Sequence, residues 1–246
     1  MRRFLLLLLC CGSALAEPAQ QPLQPLRVVT DYWPPFRMQG VSGQLEGLDI
    51  ELLDELQRRT GLRFEVHLQP WARALEAMRR GQADLMTGLA RTAERERYID
   101  YLEPAYYACA PRLYGPPERA ARIADYRQLL GLRIGYVLES AYFEPFDSDA
   151  SLLKVGVKNE EQLLQMQLRG RVELMIGTDC QVDFQLREPA LARRLVKLAY
   201  RPPVRTELYI GLSRTRGLVE ERELLLEALH HLLRDGWLER AAQRYR

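Results

Sequence analysis

Residues Gly81 to Tyr107 read GQADLMTGLARTAERERYIDYLEPAYY, and this stretch decides the fold. A turn glycine opens it, an apolar run typical of a buried strand follows, and a Thr-x-Glu-Arg quartet ends at Arg95. Arg95 is the strongest candidate for a ligand-binding residue, because a guanidinium offers a planar fork that matches a carboxylate. Arg91 and Arg97 flank it, so a solvated surface arginine is the alternative interpretation.

Short β-type runs alternate with amphipathic segments upstream of the Thr-x-Glu-Arg quartet. Strands are predicted at 26–30, 62–68 and 83–87, and helices at 48–59 and 71–80. Gly61 follows the first helix directly, as expected of a helix C-terminus. The resulting β-α-β-α-β order favours a mainly parallel sheet covered by helices.

The same alternation restarts downstream. Strands are predicted at 132–137, 172–176 and 209–213, and helices at 159–169 and 218–233. Asn159 and Gln162 are placed as the N-cap of a helix and its N3 partner. The pattern contains no repeat, low-complexity tract or long flexible linker, so two α/β units fit the length.

The quoted stretch resembles the signature of the family 3 periplasmic solute-binding proteins, and the resemblance covers nearly all of residues 26–246. It implies the type II periplasmic-binding fold, an α/β architecture of two lobes, each a mainly parallel sheet flanked by helices. It implies a first lobe at 26–110 plus 205–246 and a second at 111–204. The two chain crossings between the lobes would form a hinge around a ligand cleft.

In the first lobe, the resemblance implies a ligand site that includes Asp31, Trp33, Trp71, Ala90 and Arg95. The segment TDYWPPF, which contains Asp31 and Trp33, matches the family's opening loop. The two tryptophans would cover the ligand from either side, although each could instead pack in the lobe core. Arg95 would bind the ligand carboxylate, and Ala90 stands where many relatives have an assisting Ser or Thr.

In the second lobe, the resemblance implies contacts from Ser140 and from Thr178 or Asp179. Ser140 lies where the family has a Gly-Ser-Thr or Gly-Thr motif that ends a strand and opens a helix, with backbone N–H groups aimed at the carboxylate. Glu139 replaces the glycine of that motif. Amino-acid relatives hold the ligand ammonium with an Asp; strict counting puts Thr178 at that position, and a one-residue slip puts Asp179 there. The alternative role for Asp179 is a helix N-cap.

The first 25 residues indicate export. Residues 1–16 combine a basic start, a short apolar run and a small-x-small site, which predicts a signal peptide cleaved before Glu17 and a periplasmic protein. Leu9 precedes Cys10, so the lipobox pattern is not met, and the apolar run is too short to favour an uncleaved anchor. Residues 17–25 are predicted to be a flexible leader.

Removing residues 1–16 takes away Arg2 and Arg3, so the formal net charge of +2 becomes zero. A neutral chain gives no reason to expect a nucleic-acid partner. Only Cys109 and Cys180 remain, far apart in the chain and in different segments, and spacing alone does not establish a disulfide. No phosphate-binding loop, nucleophile elbow or zinc-ligand spacing is present, so we expect no cofactor and no metal.

Three functions follow from these features. The first is a monomeric binding protein that captures a small carboxylate-bearing solute, an amino acid or a relative, for an ABC permease in the inner membrane. The second is a periplasmic enzyme of the same fold, like cyclohexadienyl or prephenate dehydratase, because fold alone does not fix function. The third is a ligand-sensing partner of a membrane receptor. The binding protein ranks first, because no residue sits in a motif that identifies it as catalytic.

Overall fold

The computed structural model describes residues 24–245. The predicted signal peptide and most of the predicted leader lie outside the described residues. Among those described, no helix combines the length and apolar composition needed to cross a membrane.

Strands and helices alternate along most of the described chain. The strands are β1 (Leu26–Thr30), β2 (Met38–Gln39), β3 (Leu45–Glu46), β4 (Phe64–Leu68), β5 (Leu85–Leu89), β6 (Ile99–Cys109), β7 (Pro111–Gly115), β8 (Arg133–Val137), β9 (Leu153–Val157), β10 (Leu174–Thr178), β11 (Val196–Lys197) and β12 (Thr206–Ser213). The helices are α1 (Leu48–Thr60), α2 (Trp71–Arg79), α3 (Pro117–Ala120), α4 (Glu160–Leu168), α5 (Asp179–Gln185), α6 (Pro189–Ala192), α7 (Val219–Arg234) and α8 (Trp237–Gln243).

Two five-stranded sheets organise the molecule. The first has the order β4-β1-β5-β12-β6, and the second has the order β11-β7-β10-β8-β9. In the first sheet only β12 runs against the other strands, and in the second only β7 does. The predicted α/β architecture with mostly parallel sheets is therefore confirmed.

The chain passes between the sheets twice. β6 ends at Cys109 in the first sheet and β7 begins at Pro111 in the second. The return crossing joins β11 to β12, which starts at Thr206. The lobe bounds 26–110 plus 205–246 and 111–204 remain predictions. Both crossings lie close to the predicted bounds.

Helices cover the first sheet on both faces. Leu52 and Leu56 of α1 pack with Leu225 and Leu229 of α7 in one fully buried cluster. Burying each of these side chains contributes about 1.5–3 kcal/mol. On the other face, Met78 of α2 packs in a second buried cluster. The i, i+3, i+4 spacing of the leucines predicted these faces correctly.

Helix ends follow the predicted chemistry with one difference. α1 ends before Gly61, which has φ 74° and donates its N–H to the carbonyl of Gln57. Asn159 caps α4 and accepts the N–H of Gln162 at 2.9 Å. The side chain of Gln162, however, accepts the N–H of Lys158 at 3.1 Å, one residue beyond the expected N-cap partner.

Candidate functional site

A cavity between the two sheets collects side chains from both. Its empty volume is about 510 Å³, within the range of about 300–1,000 Å³ common for small-molecule sites. Most lining residues follow the carboxyl ends of parallel strands, where open α/β sheets place ligands. The cavity brings together most of the residues that were predicted to bind ligand: Asp31, Trp33, Trp71, Ala90, Arg95, Ser140 and Thr178.

Arg95 lies in a short 3₁₀ turn after β5 and is only 4% exposed. Its Nη1 donates to the Ala90 carbonyl at 2.8 Å, and its Nη2 donates to the Glu139 carbonyl at 2.5 Å. Among residues 24–245, no carboxylate forms an ion pair with Arg95, and burial lowers its pKa. A guanidinium in this state is poised to pair with an anion that enters the cavity.

The two tryptophans contribute differently to the cavity wall. Trp71 is buried, and its Nε1 donates to the Glu139 carbonyl at 3.3 Å, while the Arg95 guanidinium lies 5.7 Å from its ring. Trp33 is partly exposed and stacks on Phe36 with ring centroids 4.4 Å apart. Trp71 thus serves the lobe core and the cavity together, so the two interpretations of this residue do not exclude each other.

Asp31 belongs to a buried ion network that the sequence analysis missed. Arg37, 2% exposed, donates through Nη2 to Asp31 at 2.9 Å and through Nη1 to Asp49 at 2.5 Å. The hydroxyls of Thr87 and Tyr106 each donate to Asp49 at 2.7 Å. Burial raises the pKa of Asp31, and the charge of Arg37 opposes that rise. The network holds the Asp31 carboxylate at the cavity, where it shares the Arg37 guanidinium with Asp49.

Gly88 makes room for this network. It lies in β5 with φ 71°, and a Cβ atom there would come within 2.6 Å of Nη1 of Arg37. Both the backbone conformation and the close approach therefore require glycine.

The segment around Ser140 corrects one expectation. β8 ends at Val137, and a turn rather than a helix follows, with the N–H of Ser140 donating to the Val137 carbonyl at 3.1 Å. The predicted helix N-terminus aimed at the ligand is therefore absent from residues 138–141. Glu139 has φ 64°, a left-handed conformation that explains why glycine suits this position.

Thr178 and Asp179 take distinct positions at the end of β10. Thr178 lines the cavity and is the N-cap of α5, accepting the N–H of Gln181 at 3.3 Å. Asp179 instead accepts the N–H of Ala110 at 2.8 Å, at the crossing between the sheets. The N-cap role proposed as the alternative for Asp179 therefore belongs to Thr178, and which of the two contacts a ligand stays a prediction.

The sequence model of the bacterial extracellular solute-binding proteins, family 3, matches residues 26–246. The chain belongs to this family. Among curated relatives of this solute-binding protein, the probable histidine-binding protein of Neisseria gonorrhoeae is 21% identical over 95% of the chain and 87% of the relative. The histidine-binding periplasmic protein of Salmonella typhimurium is 27% identical over 97% of the chain and 94% of the relative. A crystal structure of a mutant of ArgBP from T. maritima superposes with a TM-score of 0.79 at 15% identity. The superposition covers 90% of the chain and 94% of that structure.

The cavity of this solute-binding protein also contains an acid that the sequence analysis missed. Glu160 is the first residue of α4 and is 6% exposed. Burial, reinforced by the charge of Asp31, raises its pKa to about 8. In the sequence it looked like one of two acidic residues in the first turn of a helix, which is ordinary for that position. Only the three-dimensional structure identifies it as a cavity residue, together with Tyr142, Thr206 and Leu208.

Cys109 and Cys180 of this solute-binding protein form a disulfide, with Cα atoms 5.7 Å apart. Sequence distance argued against a bond, but β7 and β10 bring the segments together. Pro111 pairs with Thr178, so the residues just outside that pair, Cys109 and Cys180, become neighbours. The disulfide therefore spans the first crossing between the sheets.

Proposed function

We propose that this protein is a periplasmic binding protein that captures a free amino acid or a close relative and delivers it to an ABC permease in the inner membrane. The observation that carries the proposal is Arg95, a buried guanidinium that faces the cavity and bonds only to carbonyl groups within residues 24–245. The names of the histidine-binding relatives support the same class of solute. A carboxylate would supply the anion that Arg95 lacks.

Capture would proceed in two steps. The solute first binds the lobe that carries Trp33, Trp71 and Arg95. Closure about the two crossings then brings Ser140 and Thr178 over it. The free energy of binding is the favourable free energy of the contacts in the closed state less the cost of closing the hinge.

The signal peptide at 1–16, a monomeric state and the permease partner belong to the same proposal. A monomer presents both lobes freely, which lets a permease distinguish the closed, loaded form from the open form. Gel filtration with light scattering tests the monomer, and N-terminal sequencing of the exported protein tests cleavage before Glu17.

A thermal-shift screen tests the solute class. The mature chain, residues 17–246, is refolded to remove carried ligand and mixed with amino acids, polyamines, dicarboxylates and aromatic acids. Stabilisation that rises with concentration identifies the solute. If no amino acid stabilises a well-folded sample, the proposed solute class is wrong.

Prephenate in the same panel tests the enzyme alternative. A binding protein leaves prephenate unchanged, whereas a dehydratase-like enzyme converts it, and absorbance separates the two results. The sensor alternative predicts that the loaded protein binds a receptor rather than a permease. Pull-down with purified membrane proteins in the presence of the identified solute distinguishes these partners.

A further inference from the structure

Glu160 is a buried acid without a full set of partners. Its carboxyl group faces the cavity, and its Oε2 has no hydrogen-bond partner among the described residues. Leaving such a group buried and unpaired is costly, so a native structure that keeps one needs a reason for it.

The charged and polar groups that line the cavity with Glu160 come from several elements. Asp31 follows β1, Arg95 follows β5, Tyr142 follows β8, and Thr178 ends β10. Within the described lining, Asp31 and Glu160 are the acids, and Asp31 is already paired with Arg37. Glu160 is therefore the lining acid without a cation, and Arg95 is the lining cation without an anion.

An arginine without an anion and an acid without a cation form the complement of a zwitterion once the acid is ionised. We propose that Glu160 binds the α-ammonium group of an amino acid whose α-carboxylate is held by Arg95. The inference rests on the proposed function and narrows its ligand to free α-amino acids. Thr178 offers a hydroxyl instead of a carboxylate, and the carboxylate of Asp179 is bonded to Ala110, so neither competes for this role.

Proton release accompanies this mode of binding. With a pKa of about 8, the carboxyl of Glu160 is mostly protonated at pH 7 in the empty cleft. An ammonium group beside it favours the ionised form and lowers that pKa. Binding therefore expels a proton, and affinity rises with pH up to about 8.

Calorimetry with L-arginine and L-histidine as probes tests the proposal. Glu160→Gln should weaken binding by about tenfold or more, since a charge-assisted bond is lost. Glu161→Gln, an exposed neighbour on the same helix turn, should leave it unchanged. Titrations of L-arginine at pH 7 in buffers of different ionisation enthalpy should report close to one proton released by the wild type and none by Glu160→Gln.

Analogues without the α-amino group provide a second test, part of which uses the wild type alone. We expect 5-guanidinopentanoate and 3-(imidazol-4-yl)propanoate to bind the wild type far more weakly than the parent amino acids and without proton release. Glu160→Gln should bind each analogue as well as the wild type does. If Glu160→Gln fails to fold, the wild-type measurements still test the inference, because equal affinity and equal proton release for analogue and parent would overturn it.

A second variant tests whether an acid at the end of β10 can replace Glu160 as the partner of the ligand ammonium. Thr178→Asp keeps an N-cap for α5, because Asp caps helices as well as Thr does. The double variant Glu160→Gln/Thr178→Asp should recover part of the lost affinity.

Three results would overturn the inference. If amino acids bind the wild type and Glu160→Gln equally, the ammonium role is wrong while the proposed function stands. If no amino acid binds the wild type, both fail together. If the wild type converts prephenate and Glu160→Gln does not, Glu160 donates a proton to substrate instead of binding a cation.

Discussion

The carbonyl oxygen of Glu139 accepts a hydrogen bond from Nη2 of Arg95 across the cleft, at 2.5 Å. The same carbonyl also accepts the indole N–H of Trp71 at 3.3 Å. A backbone group of the second lobe thus engages two of the first-lobe side chains that are predicted to hold the ligand, Arg95 and Trp71. A ligand carboxylate would compete with this carbonyl for the Arg95 fork, because both need the same donors.

Replacing Arg95 with Ala should weaken solute binding by about 2 kcal/mol or more, roughly 30-fold in Kd. The reason is that the variant leaves a desolvated carboxylate unpaired. Arg97→Ala, an exposed arginine two residues away, is the matched control and should bind normally. Arg95→Lys should recover only part of the loss, since an ammonium lacks the planar fork. Equal affinities for Arg95→Ala and wild type would refute a carboxylate site at Arg95.

Gly88→Ala should destabilise the protein by about 3–5 kcal/mol, because it both strains the backbone and displaces Arg37 from two buried carboxylates. Gly131→Ala is the control, with a similar φ of 77° but no atom within 4 Å of the added Cβ. It should cost only about 1–2 kcal/mol, from backbone conformation alone. Urea denaturation measures both, and a cost for Gly88→Ala no larger than for Gly131→Ala would argue against a tightly held Arg37.

The stability of the ligand-free protein should fall as pH rises from about 4.5 to 8. Glu160 has an ordinary value of 4.5 and a folded pKa of about 8, so in this window the folded state holds a proton that the unfolded state has lost. The contribution amounts to about 5 kcal/mol over the whole window and is constant above it. Burial also raises the pKa of Asp147 to about 6, so this residue contributes to the slope at the lower end of the window. Glu160→Gln should therefore flatten the upper part of the dependence, above the pKa of Asp147, in urea titrations at several pH values. Glu161→Gln should reproduce the wild-type slope. A wild-type curve flat between pH 5 and 8 would contradict the pKa assigned to Glu160.

Reduction of the disulfide should lower stability by about 4 kcal/mol, from the entropy of the opened loop. The two cysteines are separated by 71 positions. Denaturation with and without reductant measures the loss, and the double variant Cys109→Ala/Cys180→Ala should not respond to reductant. A reductant effect of the same size in that variant would mean that the loss arises elsewhere.

The parts of the fold that sequence predicted well depend on local patterns. β1, α1, β4 and α2 follow one another with alternating or helical spacing, and Gly61 marks a helix end, so these elements were predicted closely. The long strand β6 was not predicted, because Pro104 interrupts it and its partner β12 is about a hundred residues away. Strand pairing at that separation leaves no local signal.

Three residues show where prediction of the site met its limit. Arg37 stands among turn residues, and nothing near it in sequence indicates that one of its partners is Asp49, in the first turn of the next helix. In the sequence, Glu160 is one of the acids common in the first turn of a helix. It lines the cavity only because the other sheet lies opposite it. Arg95 was predictable as a residue, since a motif identifies it, but its contact with Glu139 depends on how the lobes meet.

The strand order of the first sheet has a consequence for synthesis and export. β12 lies between β5 and β6, so the last strand of the described residues is an interior strand of the sheet that begins first. Until residues 206–213 have been made, β5 and β6 have no common neighbour and the core beneath them cannot close. The strand pairing of the first sheet therefore cannot be completed until synthesis has reached β12. That order of assembly would suit the exported protein proposed above, which would cross a membrane before it folds.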